Sequence, residues 1–131
     1  MGENGKTKIK VMLADDNRTF CAELKEFLDL HDEIEVCGVV NNGEQVLEQL
    51  NVLKPDILVL DVVMPKVDGF GVLEAIVDRP EFDQLDVVVL SGMSQEDIMH
   101  KCIELGAKYY MMKPIDFQVL ANRLLSLKSA P

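Results

Sequence analysis

Four short apolar runs in this sequence each end on a residue able to do chemistry. Val11-Met12-Leu13-Ala14 is followed by Asp15 and Asp16, Ile57-Leu58-Val59-Leu60 by Asp61, Val87-Val88-Val89-Leu90 by Ser91, and Tyr109-Tyr110-Met111-Met112 by Lys113. Open parallel α/β sheets bind ligands at the carboxyl ends of their strands. If the four runs are neighbouring strands, three carboxylates, a hydroxyl and an ammonium therefore share one crevice. Two like unit charges about 4 Å apart repel by about 4 kcal/mol at an effective dielectric of roughly 20, so such a trio of carboxylates needs a countercharge. A hard divalent cation supplies it, and an all-oxygen ligand set with positions left for water and a phosphate suits Mg2+. The cation would screen Asp61 against an approaching phosphoryl group, while Lys113 neutralises a phosphoryl oxygen and Ser91 donates a hydrogen bond. These parts suit phosphoryl transfer to a carboxylate.

Taken singly, the same residues have blander readings. An aspartate at a strand end, such as Asp15 or Asp16, is usually a helix cap or turn residue; a lone serine is a loop hydroxyl and a lone lysine a solvated cation. Asp61 carries more, because it closes a run of buried-strand character and precedes Met64-Pro65 and Asp68-Gly69, signals for an ordered loop and turn. Only the joint pattern is specific. Tyr109 and Tyr110 are expected to pack partly buried, Met111 and Met112 to lie in the core, and His31 and His100 to sit at exposed helix positions without a catalytic or metal role. Cys21, Cys37 and Cys102 form an odd, widely spaced set with no C-x-x-C pair, and read as buried free thiols.

The elements that must position these residues show in the periodicity. Continuous rather than alternating hydrophobicity marks strands covered on both faces, the condition of a parallel sheet. Ile34 to Val40, interrupted by Glu35 and Gly38, suits an edge strand. Between the runs, Phe20, Leu24, Phe27 and Leu28 keep helical spacing, as do Val46, Leu47, Leu50 and Leu53, the latter behind Asn42 with Gln45 placed for a capping box and ahead of a stop at Pro55. A third helix is expected from Asp68 through Val77, with Gly69 and Gly71 weakening its first turn. A fourth should start at a Ser94 cap and end where Gly106 supplies a left-handed position, and a fifth should follow Asp116. Five strand–helix alternations predict a three-layer α/β sandwich with right-handed crossovers and a mainly parallel sheet.

At 131 residues the chain has the size of one domain, expected over residues 8–127 between a polar tail at 1–7 and a linker start or cut end at 128–131. Hydrophobic residues at 48% and charged residues at 27% exclude a disordered or low-complexity chain. Thirteen basic against twenty-three acidic residues leave a net charge of −10, a field that repels a phosphate backbone, so direct nucleic-acid binding is not expected. No apolar run exceeds four residues and the N-terminus lacks the apolar core of a signal peptide, from which a soluble, cytoplasmic chain without a membrane partner is expected.

The residues resemble the receiver domain of two-component response regulators across roughly positions 8 to 127. The resemblance rests on Ala14-Asp15-Asp16-Asn17, Leu60-Asp61-Val62-Val63-Met64-Pro65 with Asp68-Gly69, Leu90-Ser91-Gly92, and Gly106-Ala107-Lys108-Tyr109-Tyr110 leading to Lys113-Pro114. Ser91 and Lys113 also follow Asp61 by 30 and 52 positions, close to the family pattern. Ala14 to Arg18, Ser94-Gln95-Glu96-Asp97 and Met64-Pro65-x-x-Asp68-Gly69 look, more narrowly, like receivers of the sporulation response regulators of endospore-forming bacteria. The resemblance implies a flavodoxin-like (βα)5 fold with sheet order 2-1-3-4-5. It makes Asp61 the phosphoacceptor for a histidine kinase or phosphotransfer protein, and Asp15, Asp16, Asp61 and the Val63 carbonyl the Mg2+ ligands. Ser91 and Lys113 would hold the phosphoryl oxygens, Ser91 and Tyr110 would switch together, and Lys113-Pro114 would be cis. A dimer through the fourth helix, fifth strand and fifth helix, and control of transcription at sporulation entry through a DNA-binding domain, belong to the same implication.

On this reading the chain is not an enzyme beyond its own phosphorylation and slow dephosphorylation. Three other classes compete. An aspartyl-phosphate hydrolase needs an acid two residues past Asp61, where Val63 stands. A flavin mononucleotide carrier needs a Ser/Thr/Gly-rich loop after the first strand, where Asp15-Asp16-Asn17-Arg18 stands. A phosphate-independent interaction module would keep all these residues without switching.

Overall fold

The computed structural model describes residues 8–64 and 68–128. Along them run β1 (Ile9–Ala14), α1 (Arg18–Asp29), β2 (Ile34–Val40), α2 (Gly43–Leu53), β3 (Ile57–Asp61), α3 (Gly69–Ile76), β4 (Asp86–Ser91), α4 (Glu96–Glu104), β5 (Tyr109–Met112) and α5 (Phe117–Lys128), with a 3-10 turn at Pro80–Phe82. The strands are all parallel in the order β2-β1-β3-β4-β5, the expected flavodoxin-like arrangement. The tail at 1–7, Pro65 of the Met64-Pro65 signal and the residues after Lys128 lie outside the described residues.

Continuous hydrophobicity has the expected cause. In β1 and β3, Val11, Leu13, Ile57 and Val59 turn to one face, where Leu24 and Leu28 of α1 and Leu120, Ala121 and Leu124 of α5 cover them. Met12, Ala14, Leu58 and Leu60 turn to the other, against Val46 and Leu50 of α2, Val72, Leu73 and Ile76 of α3 and Cys102 of α4. Two cores thus sandwich one sheet. Between Val11 and Met12 of β1 the pairing with β2 slips, so that Val11 faces Val36 but Met12 faces Gly38, leaving Cys37 as an extra residue in β2. The slip reverses the side-chain parity: Ile34 and Val36 enter the α1/α5 core and Val40 the opposite one.

Helix ends follow local chemistry, with departures. Asn42 Oδ1 accepts from the Gln45 N–H at 2.9 Å, but Gln45 Oε1 accepts from Asn41 N rather than from the cap itself, at 3.0 Å. Lys54 takes the left-handed conformation before Pro55. Gly106, at φ 107, ends α4 in a Schellman pattern, with Gly106 N donating to Ile103 O and Ala107 N to Cys102 O, both at 3.0 Å. The expected Ser94 cap is corrected: the N-cap is Gln95, without a side-chain cap bond, and Glu96 and Asp97 in the first turn complement the dipole instead. Met112 is also corrected, because β5 is an edge strand and its last residue is exposed rather than core. Cys37, at the bulge, is only half-buried. His31 lies past the end of α1 instead of on an exposed helix position, its ring 5.3 Å from Phe27.

Candidate functional site

The carboxyl ends of β1, β3, β4 and β5 lie side by side. Ala14 pairs with Leu60, Asp61 with Leu90 and Ser91 with Met112, so the residues closing or following these strands emerge along one rim. The ladder reaches one residue further at two places, where Asp15 N donates to Val40 O at 3.1 Å and Lys113 N to Ser91 O at 2.8 Å. These bonds fix the backbone of both residues before any side chain acts.

Asp15, Asp16 and Asp61 each bring a carboxylate oxygen within 4.8 Å of the others; Asp15 and Asp61 are buried and Asp16 is exposed. Lys113 Nζ donates to Asp15 Oδ2 at 2.7 Å and lies 3.8 Å from Asp61 Oδ2. The remaining oxygens take backbone donors, Asn17 N on Asp15 Oδ1 at 2.9 Å and Val63 N on Asp61 Oδ1 at 3.2 Å. Burial, and then the Asp15 carboxylate, push Asp61 up to about 6 against the pull of the Val63 N–H and Lys113. One ammonium cannot balance three carboxylates. An oxygen-only cluster short of positive charge and open to water at Asp16 fits a hard divalent cation such as Mg2+.

Ser91 is fully buried, and its hydroxyl accepts from the Met93 N–H at 3.0 Å. Tyr110, half-buried on β5, donates its hydroxyl to the Met93 carbonyl at 2.6 Å. One loop residue thus joins the two side chains. Val63, the residue expected to lend a carbonyl ligand, is 52% exposed. The Lys113-Pro114 bond is cis.

Several supporting residues escaped the sequence reading. Gly69 was expected only to weaken α3, yet a Cβ there would sit 2.5 Å from Val62 Cα and 2.7 Å from the Asp61 carbonyl oxygen. Its N–H donates to Val62 O at 2.8 Å, while Asp68 Oδ1 caps the helix through Gly71 N at 2.9 Å. The glycine lets α3 begin directly against the strand end that carries Asp61. Asn41 Nδ2, in the loop before α2, donates to the Asp15 carbonyl at 3.1 Å and the Cys21 thiol of α1 reaches it at 3.5 Å, so the β2–α2 loop and α1 both brace the acidic loop. Burial, and then Asp15, push Cys21 up to about 11, which leaves its thiol inert at neutral pH. The only advance signal for Asn41 was its place beside the Asn42 cap.

Residues 11–125 match the response regulator receiver domain family. Among solved structures, the chain is similar to the signal receiver domain of the putative response regulator NarL from Mycobacterium tuberculosis, at 25% identity and TM-score 0.85 over 95% of this chain and 99% of that one. It is also similar to the response regulator domain of Thermotoga maritima CheB, at 26% identity and TM-score 0.79 over 95% and 99% of the two chains. A chain of the CheX–CheY–BeF3–Mg2+ complex from Borrelia burgdorferi matches at 26% identity and TM-score 0.80, over 97% of this chain and 94% of that one.

Proposed function

As this chain belongs to the response regulator receiver domain family, we propose that it is a phosphoacceptor switch in which Asp61 takes a phosphoryl group from the phosphohistidine of a kinase or phosphotransfer protein. Receiver domains bind Mg2+ at an acidic pocket, interact with such donors and are generally switches rather than enzymes. The observation that carries the assignment is the convergence of Asp15, Asp16 and Asp61 with Lys113, residues separated by up to 98 positions in the chain.

An Asp61 carboxylate oxygen attacks phosphorus; the O–P bond forms as the N–P bond of the phosphohistidine breaks, and the departing imidazole takes up a proton. Asp15, Asp16, Asp61 and the Val63 carbonyl would hold Mg2+, which when bound neutralises charge on the transferring phosphoryl oxygens. Lys113 turns from Asp15 and Asp61 to a phosphoryl oxygen. The Ser91 hydroxyl releases the Met93 N–H and donates to another. Because Tyr110 grips the carbonyl of that same Met93, the move changes what holds the phenol and so reaches the β5 face.

That face carries exposed Ile103, Met112 and Val119 from α4, β5 and α5, and serves as the contact of a phosphorylation-dependent homodimer. Transcriptional output at sporulation entry, through a DNA-binding domain, is supported by the motifs at Ala14 to Arg18, Ser94 to Asp97 and Met64 to Gly69 alone. The cytoplasm, where histidine kinases present their phosphohistidine, is the compartment this chemistry requires. Among the described residues no helix is long and apolar enough to cross a membrane.

Incubation with a small phosphodonor and Mg2+, followed by intact mass measurement, tests the reading. A Mg2+-dependent gain of one phosphate that Asp61→Asn abolishes is expected. A wild type that takes no phosphate would leave only the phosphate-independent interaction module.

A further inference from the structure

Lys113 has a third neighbour besides its two carboxylates. Its Nζ stands 4.7 Å from the centroid of the Phe20 ring, which lies beneath it. Phe20 is the third residue of α1, and its N–H donates to the Asn17 cap at 3.0 Å, so the device that starts the helix also fixes the ring's base. From α5, Phe117 meets the ring edge-on, with centroids 5.9 Å apart and planes at 70°, and Phe27 backs Phe117 at 5.7 Å. The ring is therefore held from two helices.

We propose that Phe20 is a positioning residue for Lys113, whose aromatic face holds the ammonium over the acidic cluster and keeps it poised for the incoming phosphoryl group. The consequence for phosphorylation rests on the assignment of Asp61 as phosphoacceptor; the hold on Lys113 does not. A lysine carries its charge on a flexible four-carbon stem and loses much rotamer freedom when it is fixed. An aromatic face attracts the charge through its quadrupole yet accepts none of the N–H bonds in the conventional sense. Asp15 and Asp61 alone would hold Lys113 by occupying the donors that the phosphoryl oxygens need. The ring restrains the ammonium and leaves its donors free to change partner. Lys113 is itself only about a quarter exposed (26%), which places the interaction in the stronger part of its range.

Two measurements decide the matter. In the first, made without phosphodonor, the ε-methylene protons of Lys113 are followed by NMR in wild type, Phe20→Leu and Phe20→Trp. The ring should shift them upfield and restrict their motion in wild type and Phe20→Trp, and both effects should vanish in Phe20→Leu. In the second, Phe20 is replaced by phenylalanines of increasing fluorination, which weaken the quadrupole at nearly constant shape, and the rate of phosphorylation by a small donor is measured in Mg2+. The rate should fall progressively to about three- to tenfold below wild type, matching Phe20→Leu, while thermal melting stays unchanged.

Identical Lys113 shifts and mobilities in wild type and Phe20→Leu overturn the inference regardless of phosphorylation. A rate insensitive to fluorination, with Phe20→Leu slow, assigns the ring to packing alone and overturns it equally. If wild type takes no phosphate while its Lys113 protons show the ring, the phosphoacceptor assignment fails and the positioning role stands.

Discussion

Asp61 answers to opposed demands. As the proposed nucleophile it must be ionised at neutral pH, yet burial and the Asp15 carboxylate raise its pKa from 3.8 to about 6. The native protein thus takes up a proton below pH 6 that the unfolded chain takes up only near pH 4. Above pH 6 the ionised group costs folding stability, and the cost fades as pH falls through 6. The shift corresponds to at most about 3 kcal/mol. In Mg2+-free buffer, Asp61→Asn is therefore expected to be more stable than wild type by about 1–3 kcal/mol at pH 7.5, with the gap narrowing steadily towards pH 4. Urea denaturation of both proteins across that range reads it, and a gap that widens on acidification contradicts the account. A second expectation concerns the phosphorylated form. Val63 and Met93, two positions past Asp61 and Ser91, have no side chain able to orient an attacking water, so the acyl phosphate should be long-lived. Val63→Glu or Met93→Asn should shorten its half-life by about tenfold or more, followed by intact mass after removal of the donor. That Asp15, Asp16, Asp61, Ser91 and Lys113 come together along one rim was legible in advance, because strand ends advertise such positions. Phe20, Asn41 and Gly69 were not, because their roles depend on what lies across a gap in space, which no local pattern records.

At the scale of elements, two glycines separate two kinds of constraint. Gly69 has an ordinary φ but no room, its absent Cβ facing the backbone of Val62 and Asp61. Gly106 has room on all sides but a φ of 107. Gly69→Ala must push α3 off the end of β3, so it should cost about 1–3 kcal/mol and also slow phosphorylation by displacing Asp61. Gly106→Ala should cost about 1–2 kcal/mol through backbone strain and leave the phosphorylation rate unchanged. Chemical denaturation and the donor assay, run on both variants, distinguish crowding at the site from strain at a remote helix end. Only Gly106 could be read correctly beforehand, because a C-terminal glycine has a sequence signature and a close approach does not. The start of α4 was misread for a related reason: Ser94 is a good cap by type, but the helix begins one residue later than that cap would need.

For the whole molecule, the three layers and the parallel sheet followed from the apolar runs, since burial on both faces leaves a plain mark on composition, whereas the strand order came only with the family resemblance. Of the sheet's two edges, β2 showed in its interruptions at Glu35 and Gly38, while β5 was less legible. The run at Tyr109 to Met112 reads as interior, but β5 closes the sheet and leaves Met112 exposed. That exposure supports a testable use. Met112→Asp should abolish phosphorylation-dependent dimerisation in sedimentation while leaving the extent of phosphorylation unchanged; a dimer that persists moves the contact elsewhere. The opposite edge behaves differently. With Cys37 inserted and the alternation of β2 reversed beyond it, that border is kinked and offers no regular row of donors and acceptors for a foreign strand to zip onto. A slab with two serviceable borders can recruit copies endlessly and grow into a fibre, whereas one with a single serviceable border couples once and stops. On the proposed dimer through the β5 side, the irregularity in β2 would leave that side as the one border for pairing, so self-association would stop at a closed pair.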